Sequence, residues 1–207
     1  MITYGITVSN EYLEFKRLIE SLEPYLTNEE KIIVLADSTK ITEEIKSFCC
    51  SRNLKINYYD FKKDFSDFKN TLISLTETKY LFQIDADEQI PPSLLHAVRV
   101  LIKEEKYDCL WIPRINIVNG YTQEDLIEFN WAINDKKWIQ FPDYQVRVFK
   151  ANGEIKWHKN IHEEVIGYKN KHIITTEPIE LFSILHVKDI KKQRSQNELY
   201  KQMKNNA

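Results

Sequence analysis

Four short, almost unbroken apolar runs dominate the first part of the chain, and a segment of helical periodicity follows each of them. The runs are Ile2 to Val8 (ITYGITV), Lys31 to Asp37 (KIIVLAD), Leu54 to Phe61 (LKINYYDF) and Tyr80 to Asp87 (YLFQIDAD). After the first, Tyr12, Phe15, Leu18, Ile19, Leu22 and Leu26 recur at three- and four-residue steps, the spacing of one helix face. Thr42 to Arg52, Ser66 to Thr78 and Ser93 to Lys106 read the same way, and Ser9 or Asn10, Ser66 and Ser93 are the expected N-caps. Strands that are apolar on both faces belong in a parallel sheet covered by helices on both sides. The expected class is therefore α/β, a Rossmann-like, mixed but mostly parallel sheet flanked by helices.

Beyond Lys106 the pattern changes. Cys109 to Val118, Tyr144 to Lys150, Glu154 to Lys159 and Ile179 to Val187 read as strands, several with alternating polarity. Gln123 to Ile133 is a short helical candidate, and the polar tail from Lys188 is expected to be helical. At 207 residues with 43% hydrophobic content, the chain suits a single domain with a sizeable core.

Composition removes several functions. Lys and Arg total 29 against 31 for Asp and Glu, so no basic balance points to nucleic acid. Only four glycines occur, with neither a dinucleotide-binding fingerprint nor a Walker A loop. Cys49, Cys50 and Cys109 lack metal-ligand spacing and are read as reduced thiols. No transmembrane run of roughly 18 apolar residues exists, and a soluble, cytoplasmic protein is expected, with peripheral membrane contact left open.

The acids carry the chemistry. Ligands of open parallel sheets bind at the carboxyl ends of the strands, where Asp37, Asp60 and Asp85 should share one edge. Asp85 and Asp87 lie two residues apart, so an extended backbone would point both the same way. Two carboxylates so close repel unless a cation or proton lies between them, and an oxygen pair there suits Mg²⁺ or Mn²⁺. The alternative is an acidic turn that caps the helix after Pro92.

Several segments resemble family 2 glycosyltransferases, in sequence order. FQIDADEQIPP (Phe82 to Pro92) resembles their D-x-D segment, most closely in the branch similar to lipopolysaccharide core β-glucosyltransferases. ITVSNE (Ile6 to Glu11), IIVLADST (Ile32 to Thr39), FSDFKNTLISL (Phe65 to Leu75), DYQVRVFK (Asp143 to Lys150), NIHEEVIG (Asn160 to Gly167) and ILHVKD (Ile184 to Asp189) resemble further family segments, with Lys69 where arginine is usual. The resemblance implies a GT-A fold with a small C-terminal acceptor-side region. It divides one domain into a nucleotide-sugar half (1–92), an acceptor and catalytic half (93–187) and a polar tail (188–207).

It implies a metal-dependent, inverting transfer of a sugar from a nucleotide diphospho-sugar, most simply a UDP-sugar, to a hydroxyl of a glycan, lipid-linked or protein acceptor. In that reading Mn²⁺ or Mg²⁺ sits on Asp87, and His186 stands where some GT-A enzymes place a late histidine on the metal. Asp37 would meet the uracil, Thr7 and Glu11 would enclose the nucleotide, Asp85 would meet the ribose, or the metal through water, and Lys69 and Arg147 the diphosphate. Arg147 is equally compatible with pairing to Asp143. Glu163 is the expected general base, with Glu164 and Asp143 in reserve, and His162 beside it to orient it or touch phosphate. Glu88 is a weaker metal candidate and reads equally as a surface acid or as a support behind the ligands, and Trp138 and Tyr144 read as an acceptor wall. Lys188, Lys191, Lys192 and Arg194 read first as a solvated helix face, and second as a basic segment closing over the diphosphate or meeting an anionic acceptor. Two alternatives stand beside this: a sugar-phosphate nucleotidyltransferase, and a non-catalytic module that binds sugar nucleotides or glycans.

Overall fold

The computed structural model describes residues 1–62, 64–160 and 163–205, the last three by backbone alone. Three β-α units come first: β1 (Ile2–Val8) and α1 (Tyr12–Leu22), β2 (Lys31–Asp37) and α2 (Glu43–Ser51), β3 (Ile56–Tyr59) and α3 (Phe65–Ser74). β4 (Tyr80–Asp85), a two-residue β5 (Glu88–Gln89) and α4 (Pro92–Lys103) follow. Then come β6 (Cys109–Asn119), α5 (Gln123–Glu128), β7 (Ile139–Lys150), β8 (Lys156–His158), β9 (Glu164–Ile166), β10 (Lys171–Ile173), β11 (Ile184–Asp189) and α6 (Ile190–Asn205).

Among the described residues the main sheet runs β3-β2-β1-β4-β7-β6-β11-β5, with β10 beside β6. The first four strands are parallel; β7 enters antiparallel between β4 and β6, and β11 returns parallel to β6. β8 and β9 form a separate ribbon.

Alternation along β1 assigns the two faces. Ile2, Tyr4, Ile6 and Val8 join Phe15, Phe82, Leu94 and Leu95 in a core beneath α1, α2 and α4. On the other face Leu35, Leu72, Leu81, Phe149 and Trp157 pack beneath α3 and β8. There α3 comes so close to β1 that a Cβ on Gly5 would lie 2.6 Å from Leu81 Cδ1 and 2.7 Å from Leu72 Cδ2.

Several local expectations are corrected. Asp64, not Ser66, caps α3, its side chain accepting from the Asp67 amide. Glu11 occupies the N-cap position of α1 and Pro91 that of α4, so Ser93 lies inside its helix. Ile179–Phe182 forms a 3₁₀ turn, and only the rest of that apolar run is strand. The basic segment from Lys188 is no free tail: α6 starts where β11 ends, and Ile190 packs with Val118 and Ile139.

β7 carries an irregularity that matters below. Leu110 and Trp111 of β6 are neighbours, yet they oppose Val148 and Val146, so Arg147 is the extra residue of a bulge. A bulge re-aims the side chain it carries.

Gly5→Ala should cost about 1–3 kcal/mol through overpacking. Urea unfolding checks this: the midpoint falls at an unchanged slope, and an unchanged midpoint would refute the close approach of α3.

Candidate active site

The C-terminal ends of β1, β2 and β4 put Thr7, Asp37 and Asp85 on one edge, since Thr7 pairs with Asp85 in the parallel register. The tripeptide after β4 is not extended: Ala86 and Asp87 form a turn, and Ala86 is buried. The expectation that Asp85 and Asp87 point the same way is thereby corrected, because the turn sends the two carboxylates to different partners.

Asp85 faces β1 and β7. Its Oδ1 accepts from Thr7 Oγ1 at 3.0 Å, and its Oδ2 from Arg147 Nη2 at 2.8 Å. Burial pushes its carboxyl upward, but the Arg147 guanidinium, with Lys69 and Arg114 beyond it, holds it well below the usual range. The same Nη2 reaches Glu88 Oε1 at 2.5 Å, and Glu88 Oε2 accepts from the Asp85 amide at 3.0 Å. Glu88 is therefore no surface acid; it is fully buried beneath the turn. Arg147 pairs with Asp85 and Glu88, not with Asp143.

Asp87 faces the other way. Its Oδ2 lies 3.5 Å from His186 Nε2 and 3.2 Å from Lys192 Nζ. Burial opposes its ionisation, and His186, Lys188 and Lys192 together keep its carboxyl well below the usual range. Burial lowers the pKa of His186, while its contact with Asp87 acts in the opposite direction. His186 Nδ1 meets Asn116 Oδ1 at 2.8 Å, and Asn116 Nδ2 donates to Asp143 Oδ2 at 2.8 Å.

Asp143 also accepts from Arg114 Nε and Nη2, at 2.9 and 2.7 Å, and from Gln145 Nε2 at 2.6 Å. Burial raises its pKa less than these donors lower it. Three side chains thus hold this carboxylate, which braces Asn116 and Arg114.

Glu163, the other candidate base, contacts Lys69 Nζ, and both side chains are largely buried. That ammonium also sits 4.3 Å from the ring centre of Trp157. Asn70 is occupied by the Trp157 backbone, donating to its carbonyl at 3.0 Å and accepting from its amide at 2.8 Å. These bonds pin β8 to α3 and set where the following loop enters. His162 lies outside the described residues.

α6 runs across this assembly. Lys192 joins Asp87, and its own pKa, lowered by burial, is raised more by Asp87 and Glu11. Arg194 bonds Asp125 Oδ1 at 2.6 Å, and Tyr200 packs edge-on against Phe65 at 5.8 Å. The solvated-face reading is corrected for Lys192, while Arg194 stays exposed as it pairs with the buried Asp125. Glu11 accepts from the Ser9 and Asn10 amides at 3.3 and 2.7 Å, and burial raises its pKa. Asp37 Oδ1 is taken by Thr39, through its amide at 3.0 Å and its hydroxyl at 2.6 Å, which leaves Oδ2 with Lys40 at 3.8 Å. Trp138 is buried against Phe141, so it offers no open stacking face, while Tyr144 is half-buried.

The sequence reading missed Arg114 and Asn116, and gave Lys192 a place over the site only as its second choice. The signal for the first two was the alternation of Arg114 and Asn116 within an apolar strand, two residues apart and hence on one face. Among the described residues no group of three or more His, Cys, Asp or Glu is placed to hold an ion, and no helix is long and apolar enough to cross a membrane.

Comparison with known proteins bears on this arrangement. The model of glycosyl transferase family 2 matches residues 4–169. The glycosyltransferase SunS of the SPbeta prophage in Bacillus subtilis (strain 168) is 27% identical over 173 residues, 82% of this chain, and the SunS of Bacillus phage SPbeta matches equally. The chain spans 36% of the length of these relatives. Among solved structures, S. aureus TarS 1-349 superposes with a TM-score of 0.63 at 13% identity, covering 90% of this chain and 60% of TarS 1-349. Its complex with UDP-GlcNAc gives 0.62. The architecture is thus the GT-A type, a mostly parallel Rossmann-like sheet flanked by helices, and the chain belongs to glycosyl transferase family 2.

Proposed function

We propose that the protein transfers a sugar from a UDP-sugar to an acceptor hydroxyl with inversion, assisted by a divalent cation. The observation that carries this is the pairing of Asp87 Oδ2 with His186 Nε2 at 3.5 Å, beside Asp85 at the carboxyl edge of the sheet. Family membership favours it over a sugar-phosphate nucleotidyltransferase. TarS, which shares the fold, has been crystallised with UDP-GlcNAc.

The donor set fits the cation. One carboxylate and one imidazole leave most positions of a six-coordinate ion to water and diphosphate oxygens, as is usual for ions that accompany nucleotides. The nitrogen donor weights the choice toward Mn²⁺ over Mg²⁺. Bound there, the ion would stabilise negative charge on the departing diphosphate.

The chain's own residues do the rest. Asp37, with Oδ2 nearly free, would take the uracil N–H, and Thr7 and Glu11 would border the nucleotide. Asp85, fixed by Thr7 and Arg147, would receive a ribose hydroxyl. Lys69 would offer a point charge to the diphosphate. Glu163 would then take the acceptor proton as the hydroxyl attacks the anomeric carbon. The acceptor's class is open to assay, and the likeness to the lipopolysaccharide core branch makes UDP-glucose the donor to try beside UDP-GlcNAc.

Release of UDP from either donor with Mn²⁺ tests the reading, and tight donor binding without any turnover would convert it to a binding module. Asp87→Ala should abolish the Mn²⁺-dependent part of UDP binding in calorimetry; UDP affinity that responds to Mn²⁺ as before would remove the ion from Asp87. Glu163→Gln should keep donor affinity and lower kcat by about 10²–10⁴, whereas normal turnover would shift the base elsewhere. Lys192→Ala removes an ammonium that competes for Asp87. Mn²⁺ alone should then bind up to about 5-fold more tightly, the scale of a partly exposed ion pair, and weaker binding would contradict that competition.

A further inference from the structure

We infer that Asn116 is a positioning residue: it holds the neutral ring of His186 in the tautomer protonated on Nδ1, which leaves Nε2 free to take a cation beside Asp87. The inference deepens the cation reading above and rests on it for its purpose, though not for its geometry.

The direction of each hydrogen bond follows from a group that can only donate. Arg114 is a guanidinium and has no acceptor atom. Its Nε and Nη2 both meet Asp143 Oδ2, at 2.9 and 2.7 Å, which keeps that carboxylate ionised and accepting. The Asn116 atom 2.8 Å from the same Oδ2 must therefore be the amide nitrogen. Its amide oxygen is then the atom 2.8 Å from His186 Nδ1, and an oxygen acceptor there requires Nδ1 to carry the hydrogen. In the neutral ring, the form that can take a cation, this is the one N–H, and Nε2 keeps its lone pair.

That lone pair lies 3.5 Å from Asp87 Oδ2. In that tautomer both atoms are acceptors, Lys192 Nζ stands 3.2 Å from the same carboxylate oxygen, and a cation between them would take both lone pairs. Metal-bound histidines are commonly held this way, by an acceptor on the far ring nitrogen that fixes the ring and its tautomer. Here the backbone supplies the alignment. Asn116 and His186 are direct partners in the β6–β11 register, and Arg114 and Asp143 are direct partners in the β6–β7 register. Three strands of the sheet thus aim one nitrogen.

The test uses long-range ¹H–¹⁵N spectra of histidine-labelled, metal-free protein, with Mn²⁺ affinity read by electron paramagnetic resonance. The wild type should show His186 with hydrogen on Nδ1. Asn116→Leu, of similar size but without the amide, should give a mixture of tautomers and weaken Mn²⁺ binding about 10–100-fold, with the thermal midpoint checked to show that it folds. Asn116→Asp, which can still accept from Nδ1 but cannot donate to Asp143, should keep the wild-type tautomer. Hydrogen on Nε2 in the wild type, or an unchanged tautomer in Asn116→Leu, would overturn the inference. If the tautomers behave as stated and Mn²⁺ binds neither protein, Asn116 keeps its role and the cation reading fails.

Discussion

A buried guanidinium organises this molecule. Arg147 is almost wholly enclosed and ion-paired through Nη2 to Asp85 and Glu88. A charge removed from water is tolerable only with close, well-directed opposite charge, so the position of Arg147 dictates where two carboxylates must lie. One ends β4; the other sits past a turn on β5. The turn is pulled tight because Glu88 also accepts from the Asp85 backbone. Asp87, between them, is displaced outward toward β11. The acidic tripeptide therefore spans two environments: Asp85 is a neutralised brace, and Asp87 pairs with His186 and Lys192.

The site follows from the sheet's change of direction. β1, β2, β4 and β6 bring their carboxyl ends to one edge, and the antiparallel β7 starts from it. Side chains from strands distant in sequence meet there with little loop structure. Arg114, Asn116 and Asp143 owe their contacts to strand register, which is set by many backbone bonds at once, so their geometry is stiffer than loops would allow.

The β-α alternation of the first half was legible because strands buried on both faces are apolar throughout, and the helices between them show a single inward stripe. The Asp85, Asp87 and Glu163 segments were legible through family likeness. What was hidden has physical reasons. β5, β9 and β10 are two or three residues long, too short for any period to show. The facing direction of Asp85 and Asp87 depends on a turn at Ala86 that the apolar run masks. Asp64 out-competes Ser66 as a cap although both carry a suitable oxygen. The buried place of Glu88 stayed undecided among a ligand, a support and a surface acid because its partners, Arg147 and Arg114, lie 59 and 26 residues away. Lys192 looked solvated because nothing local reveals that α6 folds back across Asp87.

That last contact has a thermodynamic reach beyond its own strength. Coupling between two binding events is reciprocal. An ion seated on Asp87 would loosen one of the ties that dock the terminal helix, and anything that lifts this helix would tighten the ion by the same factor. Helix docking and cation occupancy would then be two readings of a single equilibrium, with Lys192 as the exchange point between them.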